Sequence, residues 1–277
     1  MKHLYDPKFA GMVLLCCVLI VGPVLAQAPP PAPDDYLVPP RERDYSQAGI
    51  DALMNTITEQ YGIGFAFPVE WIANDAREVM WFTDGLHHVL GALYLAAYYL
   101  HAYDGAPEDI SPAEHFRQHF DRANILLDRV LGIENGFDGN TMPVVEDSQI
   151  VSYNIQLAPG GLSGQYVMIH ELAHVLDALL NDTPQADFVT VLGGEMTPIA
   201  WRPGAGYVGN EILFPRAVAG ANEDFADTFA AMLMGRLSPE NVAVRYDFMR
   251  AYLPIWLAAI RGLPEDIRDL HLPDEGY

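Results

Sequence analysis

His170-Glu171-Leu172-Ala173-His174 sits inside the segment GQYVMIHELAHVLDALL, which runs from Gly164 to Leu180. Within it Met168, Leu172, Val175, Leu176 and Leu179 recur at helical spacing and form an apolar stripe opposite the two histidines. Ser163 is the expected N-cap, and Asn181-Asp182-Thr183-Pro184 the expected stop. On a helix, residues i and i+4 lie one turn apart on the same face. Two imidazoles at that spacing can hold one metal ion from one side. Glu171 points into the same neighbourhood, where a carboxylate can take a proton from an attacking water.

A catalytic zinc takes three protein ligands and keeps a further position for water, so a third ligand is expected elsewhere. A metzincin would carry glycine and histidine three and six residues beyond His174, but Asp177 and Leu180 stand there. That arrangement is excluded. Further along, Asn222-Glu223-Asp224-Phe225-Ala226-Asp227 opens an amphipathic run through Phe229 and Met232 to Gly235. Glu223 offers an oxygen ligand, and Asp227 shares its helix face at i+4. From there Asp227 could accept the other ring N–H of a ligand histidine. Acids also suit any helix N-terminus, so this segment alone reads equally well as an ordinary helix start.

HELAH followed by an N-E-x-x-A-D helix resembles the gluzincin metallopeptidases. The form E-D-F-A-D-x-F is similar to the minimal gluzincins related to anthrax lethal factor. The close match covers about 165–235. The resemblance implies a zincin-like α+β fold, mostly helical, with a small mixed sheet beside the HELAH helix. It also implies one catalytic Zn2+ ion held by His170, His174 and Glu223, with Glu171 as general base and Asp227 behind the ligands. The implied activity is hydrolysis of a peptide or protein substrate by a secreted metalloprotease. Lethal-factor-type enzymes carry a tyrosine shortly before the third-ligand glutamate to steady the oxyanion. Here that neighbourhood reads Phe214-Pro215-Arg216-Ala217-Val218, leaving Arg216, Tyr207 and Tyr246 as substitutes. Two other readings stay open: a catalytically inactive zincin-fold binding module with structural zinc, and a zinc hydrolase of a non-protein substrate such as cell-wall peptide.

Composition bounds the rest. The chain has 277 residues, half of them hydrophobic, and a formal net charge of −22. One sizeable core and one domain are expected. Such a surface repels nucleic acid and anionic membranes. Residues 1–26 read as a signal peptide: Lys2, His3 and Lys8 precede an apolar run from Met12 to Val21, with small-residue cleavage sites at Ala26 or Ala28. The stretch from Gly11 to Ala26 is short for a membrane span and contains Pro23. The mature form is therefore expected to be secreted or extracytoplasmic with no stable span, the alternative being an N-terminal membrane anchor. Cys16 and Cys17, the only cysteines, fall in that run, so no disulfide is expected after cleavage. Residues 27–44 are a Pro-rich linker, and 45–277 are assigned to the zincin domain.

Ile50, Leu53, Met54, Ile57 and Tyr61 keep helical spacing up to Gly62. VLGALYLAAYYL, between His88 and His101, is apolar all round and predicts a buried core helix. Ser111-Pro112-Ala113-Glu114 predicts a capped helix start, with Phe116, Phe120, Ala123, Leu127 and Val130 on its apolar face. His115 and His119 also stand at i, i+4, but no glutamate follows the first, and nearby acids suit a solvated face. His87 and His88 are adjacent and cannot share an ion easily, so both are read as structural.

Gly136 to Thr141 is expected as a loop. Val151, Tyr153, Ile155 and Leu157 then alternate with polar residues and predict a half-buried strand, paired with Val144-Val145 through a turn near Asp147. The resemblance implies that Val151, Tyr153 and Ile155 form the edge to which substrate backbone adds. Residues 181–221 are rich in glycine and proline and predict a long loop shaping the pocket. A final helix is expected from Ser238, kinked or split at Pro254.

Overall fold

The computed structural model describes residues 43–66, 76–128, 139–157, 164–207, 219–238 and 242–264. The expected signal peptide, most of the linker, Ser163, Val130 and Arg216 lie outside the described residues. Residues 1–30 and 31–277 form separate units, and every described residue belongs to the second. Its architecture is α+β, mostly helical with a small mixed sheet.

Helix α1 (Gln47–Tyr61) starts where the Ser46 side chain accepts from Gly49 N–H and stops at Gly62, whose φ of 71° is left-handed. Ile50, Met54, Ile57 and Tyr61 are buried, as their spacing requires. Strand β1 (Gly64–Phe65) follows. Helix α2 (Ala76–Asp104) crosses the core with Val89, Leu93, Ala96, Ala97 and Leu100 buried. Its apolar surface is covered by other helices of the unit. Among the described residues no helix is long and apolar enough to cross a membrane.

Helix α3 (Pro112–Phe120) has the expected cap: Ser111 Oγ accepts from Glu114 N–H at 3.2 Å. It ends sooner than its pattern predicts. After a 3-10 turn at Asp121–Ala123, Asn124 adopts a left-handed φ of 45°, and Leu127 lies in strand β2 (Ile125–Asp128). Asn124 also donates its side-chain N–H to Val151 O at 2.8 Å, which ties this turn to the sheet.

Strands β3 (Gly139–Glu146) and β4 (Gln149–Leu157) form a hairpin through Asp147 and Ser148, both at positive φ. That backbone matches the twist of the flanking strands. Gly139 to Thr141 is thus strand rather than loop. The sheet order is β1-β2-β4-β3, with β2 parallel to β4. This corrects the edge assignment. Val151, Tyr153 and Ile155 lie on an interior strand, hydrogen-bonded on both sides, and β3 is the edge. Period-two alternation reports which face is buried and is silent about neighbours.

Helix α4 (Gly164–Leu179) carries HELAH along its buried length. Asn181 and Asp182, at φ of 51° and 58°, break it. The region expected as one long loop then contains helix α5 (Thr183–Leu192) and a hairpin, β5 (Gly194–Met196) with β6 (Trp201–Pro203). Pro184 sits in the first turn of α5, where its missing N–H costs nothing. Helix α6 (Ala221–Leu233) and helix α7 (Ala243–Arg261) complete the unit. Pro254 neither splits nor ends α7; buried Leu253, Trp256 and Leu257 hold the helix through it.

Candidate metal centre

Two helices build the centre. α4 presents His170 and His174, and α6 packs against it with Glu223 in its first turn. His170 Nε2 lies 3.2 Å from His174 Nε2 and 3.1 Å from Glu223 Oε2. His174 Nε2 lies 3.5 Å from Glu223 Oε1. Ligands about 2.0–2.1 Å from a tetrahedral ion are about 3.3–3.4 Å from one another, so these separations suit one small divalent cation. Residues far apart in sequence thus converge on one point.

Asp227 occupies its expected place. Its Oδ1 lies 2.9 Å from His170 Nδ1 and also accepts from the Tyr166 hydroxyl. An Nδ1–H donated to Asp227 leaves the Nε2 lone pair of His170 for an ion. Burial pulls the His170 pKa down, but hydrogen bonds to Asp227 and Glu223 outweigh it and raise it to about 9. Tyr166 escaped the sequence reading, although it stands one turn before His170 on the same helix face.

Glu171 is 2 % exposed and is held from the sheet. Thr141 Oγ1 donates to Glu171 Oε2 at 2.8 Å. Gly139 faces the same carboxylate: a Cβ there would come within 2.6 Å of Oε1 and 2.4 Å of Val167 Cγ1. The first two β3 contacts with α4 therefore need a glycine and then a hydroxyl. Gly139 carried one faint signal, since glycine inside a strand marks a close approach.

The cleft over these groups has a volume of about 770 Å³. Gly139, Asn140 and Thr141 line it from β3, the HELAH face and Glu223 from the helices, and Tyr153, Asp177, Asp182 and Gln185 line it as well. Tyr207 does not line it; its ring packs 5.7 Å from the Arg245 guanidinium. Nor does Tyr246, which is 5 % exposed and whose hydroxyl finds no hydrogen-bond partner among the described residues. Both were oxyanion candidates, and neither reaches the ligands' cleft.

Behind α6 lies a buried ion pair that the sequence reading missed. Arg245 Nη1 donates to Asp224 Oδ1 at 2.6 Å and to Thr228 Oγ1 at 2.5 Å. Trp201 Nε1 donates to Asp224 Oδ2 at 3.2 Å, and Arg245 Nε donates to Ala205 O at 3.1 Å. One carboxylate thus joins α6, α7 and the β6 hairpin.

His115 and His119 are buried, which overturns the solvated-face expectation. Asp104 Oδ2 accepts from His115 Nε2 at 2.9 Å and from Arg261 Nη1 at 2.7 Å. Arg261 Nη1 also donates to His119 Nε2 at 2.9 Å, so that nitrogen's lone pair is taken and its Nδ1–H is free for His115 O at 2.7 Å. Burial brings the His119 pKa down to about 4. Arg261 fills the role a cation would have there. His87 and His88 are half-buried on α2 and join neither group.

Compared with protein-family models, curated proteins and solved structures, the chain matches none.

Proposed function

We propose that this chain is a secreted zinc-dependent peptidase of the gluzincin kind, zincin-like in fold. One observation carries the reading: three donor atoms 3.1–3.5 Å apart beside an anchored Glu171 in an open cleft. His170, His174 and Glu223 would hold the ion. Bound zinc supplies polarisation of a carbonyl and lowers the pKa of a water to roughly 7.

The chain's own groups do the rest. Asp227 fixes the His170 tautomer, and Tyr166 fixes Asp227. Thr141 holds the Glu171 carboxylate, which takes a proton from the attacking water and passes it to the leaving amine. Among the described residues β3 has no strand on its far side, and there it offers backbone hydrogen bonds to an extended peptide.

The test uses purified full-length and mature protein, assayed for zinc by mass spectrometry and for cleavage of a mixed peptide library, beside Glu171→Gln. One zinc per chain is expected, with cleavage reduced by about 10²–10⁴-fold in the variant. Zinc retained with no cleavage by the parent protein would favour the binding module with structural zinc. Cleavage of cell-wall cross-links alone would favour the non-protein hydrolase.

A further inference from the structure

Part of the cleft's lining is built from groups that the proposed chemistry does not use. Asp177 is 5 % exposed, and among the described residues its carboxylate accepts one hydrogen bond, at Oδ1 from Gln185 N–H at 2.9 Å. Asp182, exposed at the break after α4, lines the same cleft, and its carboxylate accepts no hydrogen bond from the described residues. Tyr153 is 2 % exposed, lines the cleft, and makes no side-chain hydrogen bond among the described residues. Neither arginine nor lysine is among the described residues lining this cleft.

The electrostatics agree. Burial, with Asp182 adding to it, lifts the Asp177 pKa to about 7. The same two causes raise Tyr153 to about 12. Two carboxylates and a phenol line one space with no arginine or lysine beside them among the described residues. A cation entering there gains both charges and a hydroxyl acceptor while relieving their mutual repulsion.

Position sets what that cation belongs to. Asp177 is three residues past His174, about 4.5 Å along the helix at 1.5 Å per residue. On the sheet, Tyr153 pairs with Pro143, two residues past the Thr141–Ile155 pair, about 6.6 Å at 3.3 Å per residue. Both routes put the acidic end one to two extended residues from the reacting bond.

Resting on the peptidase reading, we infer that Asp177, Asp182 and Tyr153 form a subsite for an arginine or lysine side chain within two residues of the cleaved bond. A hydrogen bond to a charged group is worth about 1.5–3 kcal/mol, so basic residues there should favour cleavage by roughly ten- to hundred-fold.

Two measurements on the zinc-loaded full chain test this. The first is calorimetric titration with arginine amide, against norleucine amide as control. The second is kcat and KM on peptides differing only by arginine or norleucine near the cleaved bond. Asp177→Asn keeps an acceptor for Gln185 N–H, Asp182→Asn suits the left-handed backbone, and Tyr153→Phe leaves no cavity, so each variant should fold. The expected result is arginine-amide binding at least ten-fold weaker in Asp177→Asn, weaker also in the other two, and unchanged in Glu171→Gln. The arginine preference should appear in KM and shrink alongside. Cleavage indifferent to arginine, with arginine amide binding no better than norleucine amide, would overturn the subsite and leave the peptidase. Arginine-amide binding that Asp177→Asn weakens, in a protein that cleaves nothing, would sustain the subsite and remove the peptidase.

Discussion

Gly139→Ala perturbs the proposed base without touching a metal ligand. Gly139 has ordinary extended backbone, so alanine brings no dihedral strain and the whole effect is the added methyl. That methyl would sit 2.4 Å from Val167 Cγ1 and 2.6 Å from Glu171 Oε1. Relieving both contacts to van der Waals distance needs movement of about 1 Å. Overpacking of this size costs about 1–3 kcal/mol of stability. Misplacing a reacting group by about 1 Å costs on the order of 10²-fold in rate. The methyl meets α4 at Val167 and Glu171, and none of His170, His174 and Glu223 is among its nearest neighbours. The expected outcome is kcat down by about 10–100-fold with zinc affinity within two-fold of the parent, on the order of RT ln 2. Peptide hydrolysis, a chromophoric chelator titration and a thermal melt read the three quantities. Unchanged kcat in a folded variant would show that Glu171 is not held where its chemistry needs it. Zinc affinity lost in proportion to activity would show that the strand and the ligands are one unit, and would refute the separation argued here.

Asp227→Asn should weaken zinc by about 10–100-fold, read by chelator competition, because the His170 N–H then faces a neutral amide instead of a carboxylate. Asp224→Asn strips the charge from Arg245's buried partner and should cost about 3–5 kcal/mol in urea unfolding. Gly85, inside α2 with nothing within 4 Å of a built Cβ, is the positive control: Gly85→Ala should add about 1 kcal/mol with activity unchanged. Asp177 supplies the pH prediction. Its folded pKa of about 7 exceeds the ordinary carboxyl value of 3.8, so the folded state holds the extra proton between them, and stability falls as pH rises through that window. Asp177→Asn removes this loss, so its stability relative to the parent should grow from pH 4 to pH 8, by about 4 kcal/mol at most. A difference flat across that range would contradict the buried carboxylate.

The helices were legible wherever a cap and a stripe coincided. Ser111-Pro112 before Phe116 starts a helix where the residues predict, and the stripe from Ile50 to Tyr61 ends at Gly62 as predicted. Errors came where local grammar allows two outcomes. The apolar spacing of α3 continues into Ala123 and Leu127, and only the left-handed Asn124 turns the chain into a strand. Asn-Asp-Thr-Pro stops one helix and begins another with the same proline. In the site, the i, i+4 spacings put His170 with His174 and Glu223 with Asp227 on one helix face each, and only the resemblance implied that the two faces meet. The contacts of Thr141 and Gly139 with Glu171 cross from sheet to helix and follow from no local spacing. The Asp224–Arg245 pair was hidden for the same reason. An acid at a helix start normally faces water, and Asp224 is buried only because Arg245 arrives from α7.

These two kinds of legibility coincide with two mechanical frames. The ligands stand on α4 and α6, whose mutual position is set by Phe225 and Phe229 in the core and by Asp224 clamped to Arg245, Trp201 and Thr228. The proposed base is oriented from β3, which has no strand on its other side among the described residues. A peptide adding on that side would touch the strand that positions Glu171 while leaving the ligand helices alone. Substrate could then tighten the Thr141–Glu171 contact on arrival, as catalytic hydrogen bonds often tighten only once substrate is bound. On this account Thr141→Val lowers kcat more than it raises KM, and the deficit grows with peptide length until the substrate spans β3. A deficit equal for short and long peptides would place the effect of Thr141 in the resting protein alone.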